Sequence, residues 1–101
     1  MTTQSETRRF LEKLIGEPSF GETIAALRQA DESSQASWAK MLGVSRQLLN
    51  DVAKGRRKAT IDLASKWARI LGVSSSVLIQ RALQDQLKAA KISLRVKLET
   101  A

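Results

Sequence analysis

The strongest constraint on this chain is the stretch Ser34 to Gly55, where two short helical patterns meet across a glycine and each opens on a serine. Ser34 can cap the first helix, its hydroxyl accepting from free N–H groups in the first turn. Gly43 follows Leu42, where a helix stops most cheaply on a residue at positive φ. Ser45 then caps a second helix of about eight residues, and Gly55 stops it. Helical spacing puts Trp38, Ala39, Leu42, Val44, Leu49 and Val52 on a common apolar side. It leaves Arg46, Gln47, Asn50 and Lys54 on the other. A short helix with such an outer face suits a polar, charged target, and the phosphates and base edges of DNA fit it best.

This stretch resembles the helix-turn-helix of the Cro/CI-type (XRE) family of phage repressors and bacterial regulators. Members typically read Ser-Gln at the first helix, Ala four residues after the Gln, Gly-aliphatic-Ser at the turn, then the recognition helix and a Gly. Here these are Ser34-Gln35, Ala39, Gly43-Val44-Ser45 and Gly55. Ala53 departs from the pattern, standing where many members carry Glu. The resemblance covers about residues 19 to 80. It implies an all-α, five-helix, lambda-repressor-like domain that binds double-stranded DNA.

The candidate contacts divide by chemistry. In this motif the first turn of the recognition helix enters the major groove, which brings Ser45, Arg46 and Gln47 to base edges. Arginine can donate a bidentate pair to guanine, and glutamine can pair in the same way with adenine. Asn50 lies on the same face one turn on. Asp51 could accept from a cytosine amino group or simply temper the local charge, and Leu48 could meet a thymine methyl or a partner subunit. Gln35 sits at a helix N-terminus suited to a phosphate, and the resemblance gives it a DNA-backbone contact. Lys54, Arg56, Arg57 and Lys58 put four cations within five residues. Following the recognition helix directly, they are expected along the sugar-phosphate backbone, where contacts position without specifying sequence.

The remaining chain supports the same plan. Residues 4 to 15 carry Phe10, Leu11, Leu14 and Ile15 as one helical stripe, closed by Gly16 and Pro18. This N-terminal extension (1–18) either packs on the domain, or meets a partner or DNA through its stripe or Arg8 and Arg9. Ser19-Phe20-Gly21-Glu22 has the Ser-x-x-Glu form of a capping box and opens a scaffold helix to about Ala30. Thr60 is a candidate cap for a helix whose buried stripe is Ile61, Ala64, Trp67, Ala68 and Leu71, ended by Gly72. Val77, Leu78, Ala82, Leu83 and Leu87 mark a last helix to about Ala90. The expected division is 19–80 for the DNA-binding domain and 81–101 for a dimer or partner contact. In members that dimerise on DNA, that last region often supplies the subunit contact, so Leu78, Leu83 and Leu87 face either a partner or the chain's own core. Residues 92 to 99, Ile-Ser-Leu-Arg-Val-Lys-Leu-Glu, alternate as a single β-strand would. One strand cannot satisfy its own backbone. Its partner would be the twin strand of a second subunit or a sheet edge on another protein.

Composition narrows the function classes. Seventeen basic against ten acidic residues give a formal charge of +7, which favours polyanionic partners. The chain has no Cys and no His, lacks a glycine-rich phosphate loop and shows no paired carboxylates, so neither an enzyme nor a metal or other cofactor is expected. RNA binding is disfavoured by two Trp, two Phe and no Tyr, with both Trp expected in the core rather than exposed for stacking. No apolar run approaches the roughly 18 residues of a membrane span, and no signal-peptide core is present; a cytoplasmic protein without membrane contact is expected. The leading expectation is a sequence-specific transcriptional regulator, a homodimeric repressor. The alternative is an antitoxin that neutralises a toxin protein through a terminal segment while repressing its own operon.

Overall fold

In the computed structural model, which describes residues 17–99, the described helices form over the apolar stripes, and all but the last open on a hydroxyl cap. They are α1 (Phe20–Ala30), α2 (Gln35–Leu42), α3 (Arg46–Ala53), α4 (Ile61–Leu71) and α5 (Ser75–Ala89). The Ser34, Ser45 and Thr60 hydroxyls accept from Ser37, Leu48 and Leu63 N–H at 3.0–3.1 Å, and Ser19 forms a full capping box with Glu22. All five helices close alike. A residue at positive φ (Glu32, Gly43, Gly55, Gly72, Lys91) is followed by an N–H that reaches back to a carbonyl five residues earlier.

The core joins residues from every helix: Phe20, Ile24, Trp38, Leu42, Leu49, Val52, Trp67 and Leu78 are buried with Ala39, Ala59, Ala64, Ala68 and Ala82. Phe20 and Trp67 sit at its centre, rings tilted by 39° at 6.0 Å between centroids, a spacing favourable to aromatic pairs. The Trp38 indole N–H escapes the apolar interior by donating to Asp31 Oδ2 at 3.1 Å. That bond and one from the Ser33 hydroxyl hold the Asp31 carboxyl below its ordinary value.

Helix α5 locks α1 in place through two side chains one turn apart. Asp85 Oδ2 accepts from Phe20 N–H at 3.0 Å, and Arg81 donates to the Thr23 hydroxyl at 2.7 Å. Burial pushes the Asp85 carboxyl up, against the opposing pull of the Phe20 N–H. A group whose folded pKa exceeds its unfolded value holds its proton more tightly when folded, so its contribution to stability falls as pH rises through the carboxylate range. Asp31 acts in the opposite sense, stabilising above its unfolded pKa and losing that contribution as pH falls. Asp85→Asn keeps an acceptor for Phe20 without the charge. It is expected to remove the Asp85 part of this profile and to melt no lower than the parent at neutrality, as denaturation from about pH 3 to 7 would read.

Several expectations change. The apolar stripe of α4 begins at Ala64, because Ile61 in the first helical position reaches past the core and is 49 % exposed. Val77 is likewise exposed on the first turn of α5, and Val44, Leu71, Leu83 and Leu87 are half-buried. The C-terminal β-strand is not found: among the described residues there is no strand, since Ile92–Glu99 has no second backbone to pair with. Instead the Gln84 side chain holds it, accepting from Val96 N–H at 2.8 Å and donating to the Leu94 carbonyl at 2.9 Å. The expected helix at 4 to 15, with Arg8 and Arg9, lies outside the described residues. No helix among the described residues is long and apolar enough to cross a membrane.

Candidate nucleic-acid interface

Helix α3 is anchored by Leu49 and Val52, both buried. At about 100° per residue, Gln47 and Lys54 point away from that anchor, with Arg46, Asn50 and Asp51 flanking them. Arg46, Gln47 and Lys54 are exposed; Leu48, Asn50 and Asp51 are half-buried. Two positions seat the helix rigidly. Gly43, at φ 72°, turns the chain between α2 and α3 in a conformation that costs a side-chain-bearing residue energy. Gly21 lets α1 press on the far end of α3: a Cβ there would lie 2.5 Å from the carbonyl oxygens of both Val52 and Ala53.

Around α3 the expected residues fall into three groups. Arg46 and Gln47 are free of hydrogen bonds and ion pairs among the described residues. The Ser45 oxygen is engaged as the cap of α3, accepting from Leu48 N–H, with its own proton available. Gln35 and Asn50 are brought together: the Gln35 amide donates to Asn50 Oδ1 at 3.3 Å, tying the start of α2 to the middle of α3. Gln35 and Ala36 N–H have no acceptor among the described residues, so the α2 terminus keeps two outward donors beside that pair.

The third group is the basic turn. Gly55 at positive φ folds it back, and the Asp51 carbonyl accepts from Arg56 and Arg57 N–H at 2.8 and 3.2 Å. Arg56 also approaches the Asp51 carboxylate at 3.8 Å. An exposed pair of this length contributes little and leaves Arg56 able to turn to an anion. Lys54, Arg56, Arg57 and Lys58 are all exposed, next to the outer row of α3.

Helical spacing is enough to put these side chains outside the core, as the structure has them, but it does not signal two of their relations. The Gln35–Asn50 tie joins residues on different helices, and no spacing rule signals it. Beyond a base acceptor or local counter-charge, Asp51 organises the turn that carries the cations, through both its backbone and its side chain. The Asp51-to-Arg56 interval, just beyond one helical turn and across a glycine, was the available clue.

A helix-turn-helix family model matches residues 24–78, from the first turns of α1 to the start of α5. No curated protein and no solved structure matched the chain.

Proposed function

This chain belongs to the helix-turn-helix family of Cro/CI (XRE) type, whose members are DNA-binding transcription regulators, and on that premise we propose that it is a dimeric, sequence-specific repressor. The observation that carries the reading is the outer row of α3, Arg46, Gln47 and Asn50, held by a buried anchor and followed at once by four exposed cations.

In this proposal α3 lies in the major groove. Arg46 and Gln47 read base edges from the first turn, Ser45 donates its remaining proton there, and Asn50 reads from a position fixed by Gln35. Asp51 accepts from a cytosine amino group where the sequence offers one. Gln35, with the α2 N-terminus, and Lys54, Arg56, Arg57 and Lys58 grip phosphates on either side. A second subunit brings its own α3 to a half-site about one DNA turn away, roughly 34–36 Å. Occupying both half-sites excludes polymerase from an overlapping promoter.

The backbone role of the turn separates cleanly from base reading. Arg57→Ala is expected to weaken binding to all DNA sequences alike and to flatten the log–log salt dependence by about one unit. Titrations of operator and unrelated duplex across a salt series check this; a loss confined to the operator would assign Arg57 to base reading instead. A second reading, an antitoxin that also represses its operon, is favoured by the exposed apolar residues of the C-terminal segment, Ile92, Leu94 and Leu98. A small toxin-like reading frame beside the gene, and neutralisation of its product, would distinguish that function.

A further inference from the structure

We infer that residues 92–98 pair with the same residues of a second copy as a two-stranded antiparallel ribbon pivoting on Arg95. This rests on the dimer reading above and names the surface that joins the copies.

Although no strand forms within one chain, residues 94–96 already bond on one side as a strand would. A side-chain amide that donates to the carbonyl of residue 94 and accepts from the N–H of residue 96 bonds as one residue of a parallel neighbouring strand does. Gln84 thus occupies one edge. In an extended chain the peptide groups of alternate residues point to opposite edges, so those of Ser93, Arg95 and Lys97 face the other way. Their N–H groups find no acceptor among the described residues. Upstream, the Ile92 N–H is bonded to the Leu87 carbonyl at 2.9 Å, which fixes where the segment leaves α5. The side chains divide in the same alternation: Ile92, Leu94, Val96 and Leu98 share one face, and Leu94 is 65 % exposed.

The free edge and the side-chain order select a second copy as occupant. A two-fold antiparallel pairing uses the free peptides of 93, 95 and 97 only when its pivot makes odd residues face odd residues. Pivoting on Arg95 does this, setting Ser93 opposite Lys97. The same register sets Ile92 opposite Leu98 and Leu94 opposite Val96, so every apolar side chain meets an apolar one. The juxtaposed arginines at the pivot would repel, but each has a carboxylate of its own chain nearby, Glu17 at 3.9 Å. An isolated two-stranded ribbon is marginal; here each strand is backed by Gln84 and tethered to a folded domain. The exposed edge, otherwise a template for pairing with any chain, is consumed by its twin.

The absence of native cysteine makes the register testable in the full chain. Arg95→Cys places two thiols on directly opposed residues, with Cα atoms about 5.5 Å apart, inside the disulfide range. Ser93→Cys places them about 13 Å apart along the ribbon, outside it. The expected result is rapid disulfide-linked dimer under mild oxidation for Arg95→Cys and none for Ser93→Cys. Arg95→Pro, which removes the pivot N–H, should weaken self-association at least ten-fold by sedimentation equilibrium while the helical circular-dichroism spectrum at 25 °C is unchanged. A dimer that survives Arg95→Pro undiminished, or cross-links equally or not at all at 93 and 95, overturns the ribbon and leaves the dimer reading standing. A wild-type chain that stays monomeric even on palindromic DNA overturns both. A monomer in solution whose amides at 93, 95 and 97 are nonetheless protected from exchange overturns the ribbon alone, since residues 1–16 would then be the occupant of that edge.

Discussion

Replacing Gly21 by alanine lowers the stability of this domain by about 1–3 kcal/mol and weakens DNA binding with it, although alanine is the better helix former. Propensity alone argues for a gain of up to roughly 1 kcal/mol, since glycine costs about that much inside a helix. Packing argues the other way. The added methyl would sit 2.5 Å from two backbone carbonyl oxygens of α3, a separation that only movement of one helix can relieve. Neither can move freely: Phe20 is wedged against Trp67, and its N–H is held by Asp85. Overpacking of this kind costs about 1–3 kcal/mol and occasionally more. For a domain of this size the melting temperature falls by roughly 4–8 °C per kcal/mol. The sign of the change therefore decides between the two effects. Because the carbonyls belong to the last turn of α3, relief of the clash also tilts the helix that carries Gln47 and Asn50, so affinity falls even where the domain remains folded. A melt equal to or above the parent's would mean that the helices separate at no cost.

The second large effect is on recognition. Arg46→Ala and Gln47→Ala are each expected to cost about 1–3 kcal/mol on the preferred operator, roughly five- to 150-fold in affinity, with little change on unrelated duplex. The fold makes this a clean measurement. Both side chains are exposed and bond to nothing else among the described residues, so truncation removes no internal support and the melt should be unchanged. Asn50→Ala would be a poorer probe, because it also breaks the tie to Gln35. Loss of affinity for operator and unrelated DNA in equal measure would move Arg46 or Gln47 from base reading to phosphate contact.

What could be read from the sequence was what is local. Ser19, Ser34, Ser45 and Thr60 cap as expected because a cap involves residues two or three apart, and Gly43, Gly55 and Gly72 end helices because their φ is positive. Glu32 and Lys91 adopt the same left-handed geometry without glycine, and composition gives no warning of that. Periodicity gives the inner faces of α2, α3 and α4 but not their ends, so it predicts a core position for Ile61, which overshoots the core. The missing information is long-range. Gly21 opposite the end of α3, Gln35 beside Asn50, and Asp85 at the start of α1 join residues 15 to 65 positions apart. The alternation in Ile92–Glu99 predicts a strand that the structure does not form. A strand is a property of two backbones, and within one chain Gln84 supplies only a single peptide-like group.

The seating of α3 in the major groove is tested most directly by selecting bound duplexes from a random pool with the wild-type chain and with Arg46→Ala in parallel. The expected outcome is a two-fold symmetric wild-type motif with half-site centres about 10–10.5 base pairs apart. In the Arg46→Ala pool the same motif should return with preference lost at one symmetry-related position and kept at the others. Identical motifs from the two proteins, or enrichment of no motif by the wild type, would contradict the placement of α3 against base edges.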